Sequence, residues 1–321
     1  MKLLVLIARL FVAATFLFSG FVKLVDPLGS AYKFQEYFSA DVLNLESFIP
    51  YALPFSIVLI LIEIMLGVML LIGFKPKLTT WSLFLITLVF LFLTWYSAYY
   101  DKVTDCGCFG DAIKLTPWET FNKNVVLIIV IAFLILARKY ITPIMNNKAL
   151  NWISLGSLMV FMYISYHVLV HLPLIDFRPY AVGKNIQQGM TEIAVDGLPK
   201  VHDFYLETND GDDLTDELLN KDKVMFVVMY DLDVADSNGF SQVKTTTDLA
   251  MANGYTVYGL SASYIDDLLE LNANAGLNME WLFVDATVLK TIIRANPGII
   301  TMDKGTVTGK WNWIDADDFK P

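Results

Sequence analysis

The two cysteines of this 321-residue chain stand two positions apart, in Cys106-Gly107-Cys108-Phe109-Gly110, within a short polar loop between strongly apolar segments. Sulfurs at i and i+2 fall near the range a disulfide tolerates, and such a pair also supplies part of a soft-metal site. The chemistry expected is thiol redox exchange at Cys106 and Cys108, with a static loop staple and metal binding as alternatives. His167 and His171 are one helical turn apart and with the two cysteines would make a four-ligand zinc or copper set. The plainer reading keeps these histidines at the membrane interface, bonded locally beside Tyr163 and Tyr166. Glu63 lies in the middle of one apolar segment and Arg9 about two turns inside another. A carboxylate in such a place is protonated, paired or wet. Helix rise puts the two groups at similar depth, so an Arg9–Glu63 ion pair is expected, with proton or quinone handling as the alternative.

These groups sit in a chain that is 55% hydrophobic and 17% charged, an imbalance concentrated in its first half. Residues 3–25, 51–72, 78–99, 125–137 and 149–170 are each apolar over about the length that crosses a bilayer. The fourth stretch is short, and Phe121 and Tyr140 extend it to spanning length. Five spanning helices are therefore expected. Lys2, then Lys75 and Lys77, then Arg138, Lys139 and Lys148 mark alternate turns as cytoplasmic. The N-terminus is then cytoplasmic in an inner-membrane protein, and the cysteine loop and everything after the fifth span lie outside. Lys23 and Asp26 follow the first span without a small-x-small cleavage site, so that span is expected to be retained. Residues 30–40 interleave Tyr32, Phe34, Tyr37 and Phe38 with polar residues, which suits either an interfacial helix roofing the bundle or a loop anchored by aromatics.

The net charge of −10 and pI near 4.7 come largely from the last third, which excludes nucleic acid as a partner and suits a soluble extracytoplasmic domain. No Gly-rich phosphate loop and no nucleophile elbow appear.

Phe16-Leu-Phe-Ser-Gly-Phe-Val-Lys-Leu-Val-Asp-Pro, Glu63 followed by Gly67 and Gly73, and Asp105-Cys-Gly-Cys-Phe-Gly-Asp resemble the DoxX and MauE-like membrane proteins over roughly residues 1–145. The resemblance implies a four-helix membrane bundle. It associates the chain with quinone-linked oxidation of sulfur compounds or with disulfide formation in exported proteins. Cys106 and Cys108 are the residues it carries over, while Glu63 and Lys23 match pattern positions without a firm role. A fifth spanning helix, 146–172, and a linker, 173–189, follow this domain.

Beyond the linker the periodicity changes. Residues 223–230, 255–260, 281–284 and 298–302 read as buried strands, and 241–253, 264–275 and 286–293 have helical spacing between them. Asp303-Lys304-Gly305 turns the chain into a final strand, 306–313. Alternating strands and helices imply a three-layer α/β domain. With Arg294-Ala-Asn-Pro-Gly298 just before a strand, residues 190–321 resemble the thioredoxin-like fold. That likeness makes Asn296-Pro297 the candidate cis bond and peptide or partner groove. Where the fold has its Cys-x-x-Cys, this chain has Asp231-Leu-Asp-Val-Ala-Asp236, so the domain cannot perform exchange by itself. Asp231, Asp233 and Asp236 read as a solvated acidic loop rather than a calcium site, and His202 as structural.

The fold class expected is thus a polytopic α-helical membrane bundle followed by an α/β thioredoxin-like domain. The function expected is thiol–disulfide/quinone oxidoreduction, with Cys106 and Cys108 passing electrons from exported-protein thiols to a membrane quinone and the soluble domain holding client or partner. The alternative is a non-enzymatic envelope scaffold whose Cys106–Cys108 bridge is structural.

Overall fold

Inside a bilayer every backbone polar group must be satisfied within the chain, so the long apolar runs become helices. The computed structural model describes residues 1–103, 107–194 and 197–321, in two units, Met1–Leu169 and Val170–Pro321. The first unit holds α1 (Lys2–Val25), α2 (Pro27–Phe38), α3 (Ala52–Ile72), α4 (Pro76–Tyr100), α5 (Pro117–Leu136) and α6 (Asn147–Val170). All but α2 are long and apolar enough to cross a membrane.

Helix α5 begins well before its apolar core because Thr116 and Glu119 form a reciprocal capping box and Pro117 fills the first turn. Residues 30–38 are helical, within α2, which starts where the Asp26 carboxylate accepts the Gly29 N–H. Three bonds fasten α2 and the chain after it to the bundle. Ser56 Oγ donates to the Pro27 carbonyl at 3.0 Å, Tyr37 Oη lies 3.0 Å from Ser97 Oγ, and Tyr96 Oη donates to the Val42 carbonyl.

Helices α1, α3, α4 and α5 close a ring around Val12, Phe16, Leu70, Leu83 and Ile131. Helix α6 stands apart from that core. Only 11% of its apolar window is buried, and Phe161 and Ile164 dock on Leu24, Ile60 and Ile64. Helices α1 and α3 run antiparallel and close. A methyl group on Gly20 would lie 2.8 Å from Ile64 Cβ, and one on Gly67 would lie 3.0 Å from Leu17. Small residues at such a crossing let two helix backbones approach.

That register overturns the expected Arg9–Glu63 pair. Each step up α1 is a step down α3, so the residue opposite Gly20 is Ile64 and the neighbour of Arg9 is the far end of α3. The Arg9 guanidinium donates to the Leu70 and Leu71 carbonyls, each at 2.8 Å, and to the Thr142 carbonyl at 2.9 Å. It adds donors to carbonyls in the last turn of α3, of which Leu70 also accepts the Gly73 N–H. Depth from the helix ends was the wrong measure, because pairing follows which residues face each other across the crossing.

The second unit holds α7 (Ile186–Thr191), α8 (Thr215–Leu219), β1 (Val224–Met229), α9 (Phe240–Ala252), β2 (Thr256–Ser261), α10 (Ile265–Ala275), β3 (Glu280–Phe283), α11 (Ala286–Ile292), β4 (Gly298–Asp303) and β5 (Thr306–Asn312). The five strands form one mixed sheet in the order β3-β2-β1-β4-β5, parallel through β3, β2 and β1 and antiparallel across β4 and β5. Every residue of β1 is buried. Val224, Phe226 and Val228 face one core, and Met225, Val227 and Met229 face the other, which is the two-residue period of a strand covered on both sides.

Residues 173–189, read from sequence as linker, contribute buried side chains to the second unit. Arg178, Tyr180 and Ile186 are each at most 2% exposed. Arg178 holds both Asp176 oxygens, and Lys310 Nζ on β5 donates to the same carboxylate at 2.6 Å. Burial works against the Asp176 charge, but Arg178 and Lys310 outweigh it and hold the carboxyl below its usual range. Burial, and then the neighbouring Arg178, push Lys310 down to about 7, because two cations share one carboxylate.

Candidate functional site

At the end of the bundle where α1 meets α2, Lys23 reaches across to α3. Its Nζ lies 2.8 Å and 3.1 Å from the two Glu63 oxygens, with both side chains under 10% exposed. The same ammonium donates to Ser19 Oγ at 3.1 Å and lies 5.3 Å from the centre of the Phe90 ring. The partner of Glu63 is therefore Lys23, one turn beyond Gly20 in the register that the small residues set.

Ser19 Oγ in turn donates to the Cys108 carbonyl at 2.6 Å, which ties the cysteine loop to the ion pair. Gly107 and Gly110 have φ of +64° and +49°, conformations glycine adopts without penalty, and they fold the loop back onto the bundle. Phe109 is wedged between the Phe18 ring, 5.4 Å away, and the Lys123 ammonium, 4.2 Å from its centre. Cys108 is buried. Cys106 lies outside the described residues, together with Thr104 and Asp105, so the expected bridge does too.

Two cavities meet at Cys108. The larger, about 60 Å³, is walled by Lys23, Phe34, Leu59, Phe90 and Cys108, with α2 contributing Ser30, Lys33 and Tyr37. It has room for several waters and is open to its surroundings. The smaller, about 10 Å³, is bounded by Ser19, Lys23, Glu63, Phe90, Lys123 and Cys108. Arg9 borders neither.

Helix α4 supplies the polar side of this chamber. Thr87 Oγ1 donates to the Leu83 carbonyl and Thr94 Oγ1 to the Phe90 carbonyl, so each hydroxyl is satisfied by its own helix. Thr94 Oγ1 also accepts from Asn124 Nδ2 at 3.2 Å. Sequence reasoning took Ser19 only as part of the motif that begins at Phe16, and passed over Thr87, Thr94 and Asn124. Their signal was present as buried-face polar residues spaced a heptad apart, Thr80, Thr87 and Thr94, in an apolar span.

The remaining expected residues lie elsewhere. His171 Nδ1 is 2.8 Å from Asp315 Oδ1, and the His167 ring stacks on Tyr163. Among the described residues no cluster of three or more His, Cys, Asp or Glu could hold a metal ion. In the second unit Asn296-Pro297 is a cis bond at the start of β4. The Asn296 carbonyl accepts the Asp236 N–H at 2.9 Å, and Asn296 Nδ2 donates to the Asp231 carbonyl. The chain's own acidic segment thus occupies backbone positions beside Pro297. Asp231 and Asp236 cap tight turns by accepting the Asp233 and Asn238 N–H groups. His202 is exposed, with Nδ1 3.2 Å from the Pro199 carbonyl.

Five helices long and apolar enough to cross a membrane, followed by a C-terminal mixed α/β sheet domain, define a polytopic membrane protein with an appended α/β unit. Residues 1–137 match the family model described as methylamine utilisation protein MauE, so the bundle carrying Lys23, Glu63 and the cysteine loop is MauE-like. No curated protein and no solved structure matches the chain.

Proposed function

We propose that this protein is a membrane thiol–disulfide oxidoreductase of the DoxX/MauE type, in which Cys106 and Cys108 alternate between disulfide and dithiol. The observation that carries this reading is the placement of Cys108 in the wall of a cavity shared with the buried Lys23–Glu63 pair. A static staple has no need of a buried ion pair tied to it through Ser19.

The burial of Cys108 separates the two sulfurs by task. A protein-sized client cannot reach Cys108 directly, so its thiolate attacks Cys106. The Cys106–Cys108 bond breaks, a mixed disulfide forms on Cys106, and the electron pair leaves on the Cys108 sulfur. The second client thiol resolves the mixed disulfide, releasing an oxidised client and the reduced pair. To restore the bridge, Cys106 and Cys108 give up two electrons and two protons. A membrane quinone would supply the sink for both. Phe34, Leu59, Phe90 and Leu93 offer apolar walls to a ring entering from the open side, and Lys23 and Tyr37 offer donors to its carbonyl oxygens.

The soluble unit is read as a non-catalytic thioredoxin-like domain that holds an exported client or an envelope partner. It has no cysteine of its own, and its Asn296-Pro297 bond is cis beside the carboxyl end of β1. By the lysine and arginine bias, this unit and the cysteine loop face the extracytoplasmic side of the inner membrane.

Thiol trapping of the two cysteines in cells tests the proposal. Respiratory block should shift the pair from mostly oxidised to mostly reduced. Full biological activity in a Cys106→Ser variant would instead leave the scaffold reading, to which the clamping of Phe109 between Phe18 and Lys123 lends weight.

A further inference from the structure

The chain enters the second unit at Val170, the last residue of α6, and its first stretch is fastened along β5. Asn312 Nδ2 donates to the Val170 and His171 carbonyls at 3.0 Å and 3.3 Å, and His171 Nδ1 lies 2.8 Å from Asp315 Oδ1. Lys310 Nζ then holds Asp176 at 2.6 Å. Residues 171–176 therefore run beside β5 from Asn312 to Lys310 with both ends fixed. Between and just past these anchors, Leu174, Ile175 and Phe177 are 56%, 44% and 39% exposed. Their neighbours Leu172 and Tyr180 do reach the core of the same unit, so it is the path of the chain that leaves these three outside. Three large apolar side chains within four residues, pinned and exposed, mark a contact surface.

Reach and charge decide what covers them. Leu174 is four residues past the end of a helix long and apolar enough to cross a membrane, so it lies at most about 14 Å from that end. The headgroup layer that receives the end of α6 is within that reach. The stretch also carries no exposed carboxylate. Asp176 is the acidic residue among residues 170–184, and Arg178 and Lys310 engage it, while Asp315 is engaged by His171. The unit as a whole has 24 Asp and Glu against 11 Lys and Arg, a balance that opposes approach to an anionic lipid surface. We propose that residues 172–177 are a lipid-contacting strap, with Leu174, Ile175 and Phe177 inserted at the headgroup–acyl boundary of the leaflet where α6 ends. Insertion takes their apolar surface out of water while the bonds to Asn312, Asp315 and Lys310 keep the strap on the sheet. The β5 edge then faces the bilayer and the opposite edge, β3, faces water. The partner is the bilayer itself, and the assignment does not rest on the thiol-redox reading.

The test is quenching of a nitrobenzoxadiazole label on Ile175→Cys in the full-length protein, in a Cys106→Ser/Cys108→Ser background, reconstituted in phosphatidylcholine–phosphatidylglycerol vesicles. For a label about 5–10 Å below the surface, a nitroxide on the lipid chains near the headgroups should remove most of the fluorescence, and aqueous iodide should remove little. A label on Phe283→Cys, exposed on β3, should show the reverse. Iodide quenching at Ile175→Cys equal to that at Phe283→Cys overturns the proposal. Protection of the Ile175→Cys label from both quenchers also overturns it and assigns the patch to a protein surface. Should the cysteine-free background fail to fold, the wild-type protein in nanodiscs of the same lipids, one carrying a diazirine in its acyl chain, answers the same question. Adducts at residues 174–177 are expected, and adducts confined to the spanning helices overturn the proposal. Neither readout involves the chemistry of Cys106 and Cys108, so a cysteine pair that never changes redox state in cells removes the function proposed above and not this lipid contact.

Discussion

The two units bury opposite kinds of residue. In the membrane unit the surface is apolar and the polar groups turn inward: Lys23 with Glu63, Arg9 onto helix carbonyls, Thr87 and Thr94 onto their own helix. In the second unit the β1 and β4 strands are apolar on both faces, and most carboxylates are outside. The first unit carries 12 Lys and Arg against 9 Asp and Glu, and the second 11 against 24. Lipid cannot solvate a charge, so each charged group within the bundle needs a partner from the chain. Most of the second unit's acidic surplus lies at its surface, and among the described residues the buried cluster of Asp176 with Arg178 and Lys310 pins the segment leading into the sheet. The polar interior is structural in the second unit and coincides with the cysteine in the first.

The contrast can be broken most forcefully at the ion pair. Lys23→Met alone strands the Glu63 carboxylate and should destabilise the bundle by about 3–5 kcal/mol, while adding Glu63→Gln should recover most of the loss. Thermal unfolding in detergent checks both, and equal losses in the two variants would show that the orphaned charge is not the cause. Leu260→Ala, fully buried on β2, should cost about 2–5 kcal/mol in the second unit alone, read by denaturant titration of tryptophan fluorescence. A matching loss in the membrane unit would mean that the units do not unfold separately.

A smaller effect is expected at Lys310. Its proton affinity is lower folded than unfolded, so the unfolded chain binds more protons between about 7 and the ordinary lysine range. Stability of the second unit should therefore rise as pH increases across that window and be lost again as pH falls toward 7. Lys310→Met should flatten the rise, and a slope unchanged by this substitution would assign it to another group. Least affected is the exposed Lys244–Asp248 pair on α9, where Lys244→Ala should change stability by less than about 0.5 kcal/mol.

Much of the architecture was legible because it is local. The spans near 3–25 and 51–72 appear as α1 and α3 within a residue or two, since twenty apolar residues have one way to satisfy their backbone. Strands β1, β2 and β4 follow their apolar runs in the same way. The start of α5 was missed because an N-cap, not hydrophobicity, sets it. At the site, Cys108 and Glu63 were singled out by type and position and Ser19 and Lys23 only through the motif they share, whereas Asn124 was not, because a lone amide in an apolar span has no distinguishing mark until its neighbour is known.

By itself the sequence determined how many segments are long and apolar enough to cross a membrane, where strands alternate with helices, and that two thiols share one loop, all consequences of spacing along a continuous stretch. Which cation meets Glu63 was decided only in three dimensions, by the crossing of α1 and α3 at Gly20 and Gly67, which brings Lys23 to Glu63 and sends Arg9 to the opposite end. The burial of Cys108 beneath Ser19 and α2 was decided in the same way. Contacts between residues 40 to 89 positions apart depend on helix register and loop folding, and no periodicity within either partner encodes them.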